Sequence, residues 1–538
     1  MRAEILVFVV LLIIALVSLL GIISEVNKQY SIAVPAFGGT LREGIWGAAP
    51  RFINPVLAQT DADRDLVSLI YTGLLRYDSR GAAKPALAEK YEISQDGLEY
   101  TVTLKKSPRW SDGEVLTADD ILFTIGLIKT PQLLSPRRAS WEGVEIKKID
   151  ERTVKFILKK PYAPFLENLT LGIIPKHLWE PVPVSQFSLV DLNTKPIGAG
   201  PYKIKSVGHD SLGSITSVVL EANKYFALGR PNIKNIEIKF YKNEEATVAV
   251  LKTGTIEAAG GLSPKSLAEL KTLNLTIKSI GLQRIIAVFL NQGLKKDFVS
   301  IDIRRALDSA IDKKSLVNNI LSGYGQVING PLPLSIFTIN NPETADINTY
   351  NPDLAQSLIA KQKKLLTFQL TTANTPELVE VAHKLKEMWN KIGMNIEIKT
   401  FNQNDLEQSV IGPRRYDAFL YGEEVIGQTP DPFAFWHSSQ RAYPGYNIAL
   451  YANSKVDKML ENVRSAQNSE DREIIYANIQ KEITKDLPAI FLFSPSYIYV
   501  VPSELGGVDI KNINTGSERF STVYQWYLEK HYVWKLFI

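Results

Sequence analysis

Two segments of the chain combine the periodicity of a β-strand with that of an α-helix, and both predict strand–helix–strand units. In the clearer one, "LLTFQLTTA" (365–373) is the first strand, and Thr375-Pro376 supplies a capping residue and a proline at the start of a helix. Apolar residues then recur every three or four positions, at Val379, Ala382, Leu385, Trp389 and Ile392. Gly393 ends the helix, and "NIEIKTF" begins the second strand.

The other unit lies earlier in the chain. "NIEIKFY" (235–241) alternates apolar and polar residues, Asn243 caps a helix whose first turn is acidic, and Gly254 follows its last turn. "TIEAAGG" then returns as a strand. Units of this length imply parallel strands joined by a right-handed crossover. Two such units without an internal sequence repeat predict a protein of two α/β lobes.

The N-terminal segment has a different pattern. Ile5 to Ile23 is apolar apart from Ser18 and Gly21, and such a helix just spans a hydrocarbon core of about 30 Å. A cleaved signal peptide has a shorter apolar core, and residues 31–37 match its cleavage site poorly. We therefore expect residues 1–24 to be a transmembrane anchor rather than a cleaved signal segment. Residues 25–37 are expected to be a linker to an extracytoplasmic or periplasmic part.

Length and composition restrict the class of protein. At 538 residues the chain is too long for one ordinary core, so two or three domains are expected. The 61 basic and 57 acidic residues are interspersed and leave a net charge of +4, which argues against nucleic-acid binding. The chain has no cysteine, which excludes disulfides, zinc–thiolate sites and cysteine nucleophiles.

Three acidic residues, Asp112, Asp119 and Asp120, lie close together in "RWSDGEVLTADDILFTI" (109–125). A metal or acid–base cluster is one interpretation, but the spacing favours a local structural role. Asp112-Gly113 is a turn signal, and Thr117 with Asp120 three residues later is a capping arrangement at a helix start.

Other motif searches also predict no metal and no cofactor. "PIGAGPYKI" (196–204) lacks the third glycine of a dinucleotide fingerprint, because Lys203 stands there and a strand follows. The histidines lack ligand spacing: His177, His209, His383, His437 and His531. His383 is expected on a helix surface. His437 either touches a ligand or packs in a loop.

The strongest candidate site is "YGEEVIGQTPDPFAFWHSS" (421–439). Residues 416–421 predict a buried strand that ends at Gly422, and ligands bind where loops converge outside strand ends. Glu423 and Glu424 would then project into a cleft, beside a proline-stiffened loop that bears aromatic side chains. The alternative is a surface acid pair with aromatics packed under a loop. Carboxylates in an apolar cleft suit a ligand with an amine, and no nucleophile–base pair accompanies them, which favours binding over catalysis.

The order of motifs resembles the extracytoplasmic solute-binding proteins of peptide ABC importers, the oligopeptide- and dipeptide-binding class of solute-binding protein family 5. The resemblance covers nearly everything after the linker. Its segments are "GGTLREGIWGAAPRFINPVLAQTDADRDLVSLIYTGLLRYD", "PALAEKYEISQDGLEYTVTLKKSPRWSDGEVLTADDILFTI", "IGAGPYKI", "EATVAVLKTGTIEA", "DIRRALDSAIDKKSLV", "GPLPLSI", "YDAFLYGEEVIGQTPDPFAFWHSS" and "YANSKVDKMLENV".

The resemblance implies a two-lobed α/β periplasmic-binding-protein fold of type II, with an inserted subdomain and a hinge cleft. Lobe I is expected at 38–76, 196–283 and 495–538, its inserted subdomain at 77–195, and lobe II at 284–494. In this family the strand end before a Pro-Asp-Pro segment pairs with the peptide backbone.

Gly422 and Pro430-Asp431-Pro432 match that family pattern, but the Trp-x-x-Asp expected between them is replaced by Glu423-Glu424-Val425-Ile426-Gly427. Either Glu423 or Glu424 therefore takes the ligand amine, or the ligand has no free amine. The predicted ligand-binding residues, with Trp46 and Trp436 as apolar walls, are Trp46, Tyr421, Gly422, Glu423, Glu424, Asp431, Phe433 and Trp436.

The function implied is capture of short peptides by a membrane-anchored monomer, which delivers them to an ABC permease and its ATPase subunits. We expect no chemistry, no cofactor, no metal and no nucleic-acid partner. Three alternatives remain: a dedicated non-peptide or signalling ligand such as a metal chelate or an oligosaccharide, an anchored extracytoplasmic hydrolase, and a sensor without a permease.

Overall fold

The computed structural model describes residues 2–333, 336, 349–362, 365–424 and 431–534. The strands are β1 (Ser31–Ala36), β2 (Gly38–Trp46), β3 (Leu75–Tyr77), β4 (Ala83–Pro85), β5 (Ala88–Ile93), β6 (Glu99–Leu104), β7 (Glu145–Lys148), β8 (Thr153–Ile157), β9 (Tyr202–His209), β10 (Ile215–Ala222), β11 (Ile233–Tyr241), β12 (Ala258–Gly260), β13 (Leu275–Leu282), β14 (Arg284–Leu290), β15 (Gly325–Val327), β16 (Leu366–Ala373), β17 (Met394–Phe401), β18 (Ala418–Glu424), β19 (Ala489–Pro502), β20 (Asn512–Ile513) and β21 (Glu529–Trp534).

The α-helices vary from one turn to about eight turns. They are α1 (Arg2–Tyr30), α2 (Asp61–Ile70), α3 (Ala118–Lys129), α4 (Arg138–Trp141), α5 (Phe165–Asn168), α6 (Lys176–Trp179), α7 (Glu244–Lys252), α8 (Pro264–Leu267), α9 (Ile301–Ser309), α10 (Lys313–Ile320), α11 (Pro352–Ala360), α12 (Pro376–Lys391), α13 (Gln403–Leu406), α14 (Phe433–Trp436), α15 (Ser454–Ser465) and α16 (Ser469–Asp486).

One strand path, β17-β16-β18-β14-β19-β12-β2-β11-β10-β9, continues through two lobes. Strand β19 belongs to both, since its first half pairs antiparallel with β14 and its second half with β13. Strands β13 and β14 follow each other with only Gln283 between them. Two chain segments therefore cross from one lobe to the other side by side.

Buried apolar side chains of the described residues form separate cores in the two lobes. Two clusters draw only on residues between 285 and 493 and cover the two faces of the β17-β16-β18-β14-β19 layer. Two others draw on residues before 281 and after 497. The larger of these also contains the four-stranded sheet β5-β6-β8-β7. Each lobe thus has its own hydrophobic core, as independent rigid bodies require.

The predicted unit around residues 365–399 is confirmed. Strands β16 and β17 are parallel neighbours, and α12 begins after Thr375 with Pro376 in its first turn. The helix buries Leu385 and Trp389 against the sheet, as the spacing predicted. His383 is exposed, also as predicted.

The earlier unit is confirmed with one addition. The side chain of Asn243 accepts a hydrogen bond from the backbone N–H of Ala246 at 3.0 Å and caps α7. Strands β11 and β12 are both parallel to β2, which lies between them. Strand β2 comes from a distant part of the chain, so the periodicity of residues 235–261 could not reveal its position between β11 and β12.

The N-terminal segment differs from the expected linker. Helix α1 continues to Tyr30, and β1 pairs antiparallel with β21 from Ser31↔Trp534 to Ala36↔Glu529. Residues 31–36 are therefore an ordered strand, because a distant partner strand satisfies their backbone groups. Across the described ranges, no helix combines the length and the apolar character needed to cross a membrane.

Candidate functional site

Strand β18 has a backbone edge that is only partly paired. On one side it pairs with β14 along its whole length, from Ala418 to Glu424. On the other side, pairing with β16 stops at Thr372↔Leu420. In the described part of the chain, no strand pairs with residues 421–424 on that side. This free edge is the kind of surface to which an extended peptide adds as a further strand.

Glu423, at the end of this strand, points into lobe II. Only 2% of the residue is exposed, and neither carboxylate oxygen has a hydrogen-bond partner among the described residues. Burial raises the pKa of Glu423 well above its usual range. The Trp436 indole N–H is close enough to oppose this shift, although the two groups do not meet hydrogen-bond geometry. Glu423 is thus a carboxylic acid that favours its protonated form.

Trp436 lies in the same core, and its placement corrects the expectation of an apolar cleft wall. It is 1% exposed and packs near Phe289, Tyr451 and Phe491. In the sequence, this segment is a strand end followed by a proline-rich loop, and nothing in that pattern indicated that α14 packs back onto the sheet. Residues 425–430 and the side chain of Glu424 lie outside the described residues.

Asp431 is held by a charge pair that reaches both lobes. The Arg464 guanidinium donates to its two carboxylate oxygens at 2.6–3.0 Å, and the Tyr162 hydroxyl donates to one of them at 3.2 Å. The backbone N–H of Ala163 also donates to the carbonyl of Arg464 at 2.7 Å. Because Tyr162 packs against the other lobe's core, Asp431 lies in an interlobe contact.

Two aromatic rings pack next to the Asp431–Arg464 ion pair. The Arg464 guanidinium lies 3.8 Å from the ring centroid of Phe433. The His437 ring stacks on the Phe433 ring, with 4.0 Å between the two centroids. Phe433 and His437 therefore pack inside lobe II around the charge pair. This agrees with the packing alternative for His437.

A cavity of about 510 Å³ lies beside this contact, between the lobes. One wall comes from α2, the residues around β3, the 137–172 region and residues 515–521, and the other from residues 431–446. Its lining includes Tyr71, Arg76, Tyr77, Arg137, Tyr162, Glu518, Asp431, Ala434, Phe435 and Tyr446. Its size is that of a site for a small ligand.

Trp46 is separate from the other predicted site residues. It ends β2 in lobe I, is 38% exposed, and donates from its indole nitrogen to the carbonyl of Gly260 at 3.2 Å. Of the predicted site residues, Asp431 lines the cavity, and the sequence analysis did not single out its neighbours Tyr162 and Arg464 or the cavity residue Arg137. The sequence around these residues gave little indication of a site. Tyr162 lies between two prolines, and Arg137 and Arg464 have no distinctive neighbours.

The acidic cluster of residues 112–120 is structural, as the spacing indicated. The Asp120 carboxylate accepts hydrogen bonds from the backbone N–H groups of Thr117 and Lys176, both at 2.8 Å. Asp119 pairs with Lys148 at 2.9 Å. Over the described residues, no group of acidic and histidine side chains is arranged to hold a metal ion.

Two α/β lobes that share a central strand and enclose a cavity define the class of hinged solute-binding proteins. The chain belongs to the bacterial extracellular solute-binding proteins of family 5, whose model matches residues 82–447. The predicted family and two-lobed fold are thereby confirmed. The family consists of binding proteins rather than enzymes.

Individual relatives are similar over nearly the whole chain. The oligopeptide-binding protein AppA of Bacillus subtilis is 28% identical over 507 residues, which cover 90% of this chain and 91% of that protein. The probable D,D-dipeptide-binding periplasmic protein DdpA of Escherichia coli is 27% identical, over 88% of this chain and 93% of its own. The solved structure of Bacillus subtilis AppA with a nonapeptide has a TM-score of 0.69 at 26% identity, over 92% of this chain and 100% of that one.

Proposed function

We propose that this protein is the substrate-binding component of an ABC importer, which captures short peptides between its lobes and delivers them to a membrane permease with ATPase subunits. The observation that carries the proposal is the free edge of β18 at residues 421–424, within a two-lobed solute-binding fold. The names of the relatives, which bind oligopeptides and D,D-dipeptides, support a peptide ligand.

Main-chain hydrogen bonds along β18 account for affinity that depends little on peptide sequence, because every peptide offers the same N–H and C=O groups. We propose that the protein only binds and releases its ligand, without catalysis or a cofactor, as a monomer. Closure is proposed to occur by hinge motion at the two crossing segments near Gln283 and Ser494, between lobe I (38–76, 196–283, 495–538, with the subdomain 77–195) and lobe II (284–494). The separate cores of the two lobes support this division.

We also propose that the N-terminal segment holds the protein at the extracytoplasmic face of the membrane. The support is chemical: the described side chains of residues 5–22 are exposed and, apart from Ser18, apolar. Membrane fractionation of cells that express the full chain tests this attachment, and recovery of the full chain in the released soluble fraction would contradict it.

The first test of function is native mass spectrometry of the full chain purified in mild detergent. A ladder of adducts at the masses of short peptides is the result expected of a general peptide binder. One sharp adduct mass would replace the general binder by a protein with a dedicated ligand. Protein that carries no adduct and also fails to bind added di- to nonapeptides would refute the proposal.

A second test concerns the acid that takes the ligand's amine. We assign Glu424 rather than Glu423, because Glu423 is buried and favours its protonated form. Glu424→Gln is expected to weaken binding of free-amine peptides by about tenfold to hundredfold, the value of one charged hydrogen bond. Acetylated peptides should bind wild type and variant equally in titration calorimetry.

Glu423→Gln is the matched control for this assignment and should leave peptide affinity unchanged. Loss of free-amine binding in Glu423→Gln, with Glu424→Gln unaffected, would transfer the role to Glu423. Equal losses for free-amine and acetylated peptides would remove both acids from amine recognition.

A further inference from the structure

The strands β1 and β21 form a two-stranded ribbon that is separate from the main sheet. Ser31 directly follows α1 and pairs with Trp534, so the ribbon joins the N-terminal helix to the last described strand. Directly opposite residues of antiparallel strands have their side chains on the same face. One face of the ribbon therefore carries Trp534 opposite Ser31 and Tyr532 opposite Ala33, with Lys530 two residues further along.

This face exposes large aromatic side chains. Tyr532 is 74% exposed and Trp534 is 44% exposed. Tyr30, the last residue of α1, is also exposed and precedes the ribbon directly. Folded proteins expose single apolar side chains at many places, whereas a cluster of them marks a surface that contacts a membrane or another protein.

The chemistry of the cluster suits the boundary between lipid and water. Tyrosine and tryptophan combine an apolar ring with a polar group, and both are enriched where membrane hydrocarbon meets the headgroups. Lys530 adds a cation on the same face, which attracts anionic headgroups. His531 and Val533 alternate with these residues and lie on the opposite face, so Lys530, Tyr532 and Trp534 form one stripe along β21.

The distance between the ribbon and the proposed anchor favours lipid as the partner. With residues 5–23 in the hydrocarbon core, residues 24–30 of α1 extend about 10 Å beyond that core. The headgroup layer on one side of a bilayer is about 5–8 Å thick. No residue separates α1 from β1, so the end of the ribbon with Trp534 lies within a few ångströms of the headgroups.

We propose that the stripe of Lys530, Tyr532 and Trp534 contacts the membrane surface, with its aromatic rings in the lipid headgroup layer. Lobe I begins with β2, which follows β1 after Phe37, and is therefore held close to the bilayer at two places, the anchor and the ribbon. None of the described ribbon residues lines the interlobe cavity, so the contact leaves that cavity accessible. This inference rests on the proposed membrane attachment and is independent of the proposed peptide ligand.

Site-directed labelling tests the contact, because a chain without cysteine accepts a single label at a chosen position. Ala33→Cys places a fluorophore directly opposite Tyr532 and removes no aromatic residue. Leu212→Cys is the control position, because Leu212 is exposed in the turn between β9 and β10. That turn lies at the Trp46 end of the main sheet, whereas the ribbon leads into its Gly38 end.

The full chain, purified in mild detergent, is placed in nanodiscs of phosphatidylcholine and phosphatidylglycerol that include lipid with a nitroxide on its headgroup. Since a nitroxide quenches fluorescence only at short range, the label at Ala33→Cys should be quenched severalfold more strongly than the label at Leu212→Cys. Equal quenching of the two labels, in chains that remain in the nanodiscs, would overturn the contact and assign the stripe to a protein partner such as the permease.

A double variant tests the aromatic rings themselves. Tyr532→Ser with Trp534→Ser, in the Ala33→Cys background, should lower the quenching toward the level seen at Leu212→Cys. Tyr443→Ser removes an exposed tyrosine from the part assigned to lobe II and should leave the quenching unchanged. Thermal unfolding of each variant checks that the fold is kept.

The remaining outcomes are also distinct. Unchanged quenching in the double variant would show that the short connection to α1 alone keeps the ribbon near the lipid, and would overturn the role of the rings. Chains that do not enter nanodiscs would overturn the membrane attachment and this inference together. The peptide-binding proposal would stand in either case, because it is tested separately by ligand binding.

Discussion

Replacing Arg519 by methionine is expected to lower the free energy of unfolding by about 3–5 kcal/mol, the cost of breaking a buried charge cluster. The guanidinium donates to both carboxylate oxygens of Asp65 at 2.8 Å and to Glu43 at 3.0 and 3.2 Å. All three side chains are at most 5% exposed. Without Arg519, two carboxylates would remain buried with no cation, and only the Tyr499 hydroxyl would still donate to Glu43.

The pH dependence of this loss gives a second readout. Burial raises the pKa of both Glu43 and Asp65, and the Arg519 charge opposes that shift. Once Arg519 is removed, both pKa values rise further, so protonation relieves the variant more than the wild type. Urea unfolding should therefore show the largest loss at neutral pH and a smaller one at pH 4–5.

The matched control combines Arg519→Met with Glu43→Gln and Asp65→Asn. Because this triple variant buries no unpaired charge, it should recover much of the lost stability. A loss that is equal in single and triple variants would mean that packing of the Arg519 side chain, rather than its charge, stabilises lobe I.

Replacing Glu423 by glutamine should have the opposite sign and stabilise the protein by about 1–3 kcal/mol at neutral pH, because every tenfold increase in the proton affinity of the folded-state carboxyl costs about 1.4 kcal/mol of stability there. Glutamine keeps the shape of the side chain but cannot ionise. Since the pKa of Glu423 is raised in the folded state, the native protein binds more protons than the unfolded chain. The contribution of the Glu423 carboxyl group to wild-type stability is fully present below its pKa in the unfolded chain. This contribution is lost as the pH rises toward its pKa in the folded protein.

The measurement is the difference in urea unfolding free energy between Glu423→Gln and wild type across pH 4–9. Using the difference removes contributions from the other carboxyl groups. The stabilisation should be small at pH 4 and increase with pH above the ordinary glutamate pKa of about 4.3. A constant difference across this range would show that Glu423 is not protonated by burial.

The contrast between these two sites shows how context decides the behaviour of a buried acid. Glu43 has Arg519 and Tyr499 as partners, so its charge can be accommodated in the core. Glu423 has only the Trp436 indole nearby among the described residues and favours the neutral form. In the sequence, Glu43 lies between Arg42 and Gly44 in a strand, and Glu423 lies between Gly422 and Glu424 at a strand end, so neither surrounding reveals the partners of the acid.

Sequence by itself determined the local elements of this protein. Strand and helix periodicity over residues 365–399 predicted β16, α12 and β17, and the Asn243 and Asp120 caps were identified from residues at most three positions away. Such features are readable because their interactions are short in sequence and repeat with the period of the backbone. The family resemblance also rested on sequence, through motifs that keep their order along the chain.

Only the tertiary structure decided which of those residues share an environment. Arg519 meets residues more than 450 positions away, and Tyr162 meets Asp431 at a separation of 269. The sequence predicted a strand that ends at Gly422 with Glu423 projecting into a cleft, whereas β18 continues to Glu424 and Glu423 is buried near Trp436. The cavity that Arg137 lines exists because two chain segments cross between the lobes and bring distant parts of the sequence to its opposite walls. Burial, desolvation and charge pairing depend on distance in space, and local periodicity carries no information about it.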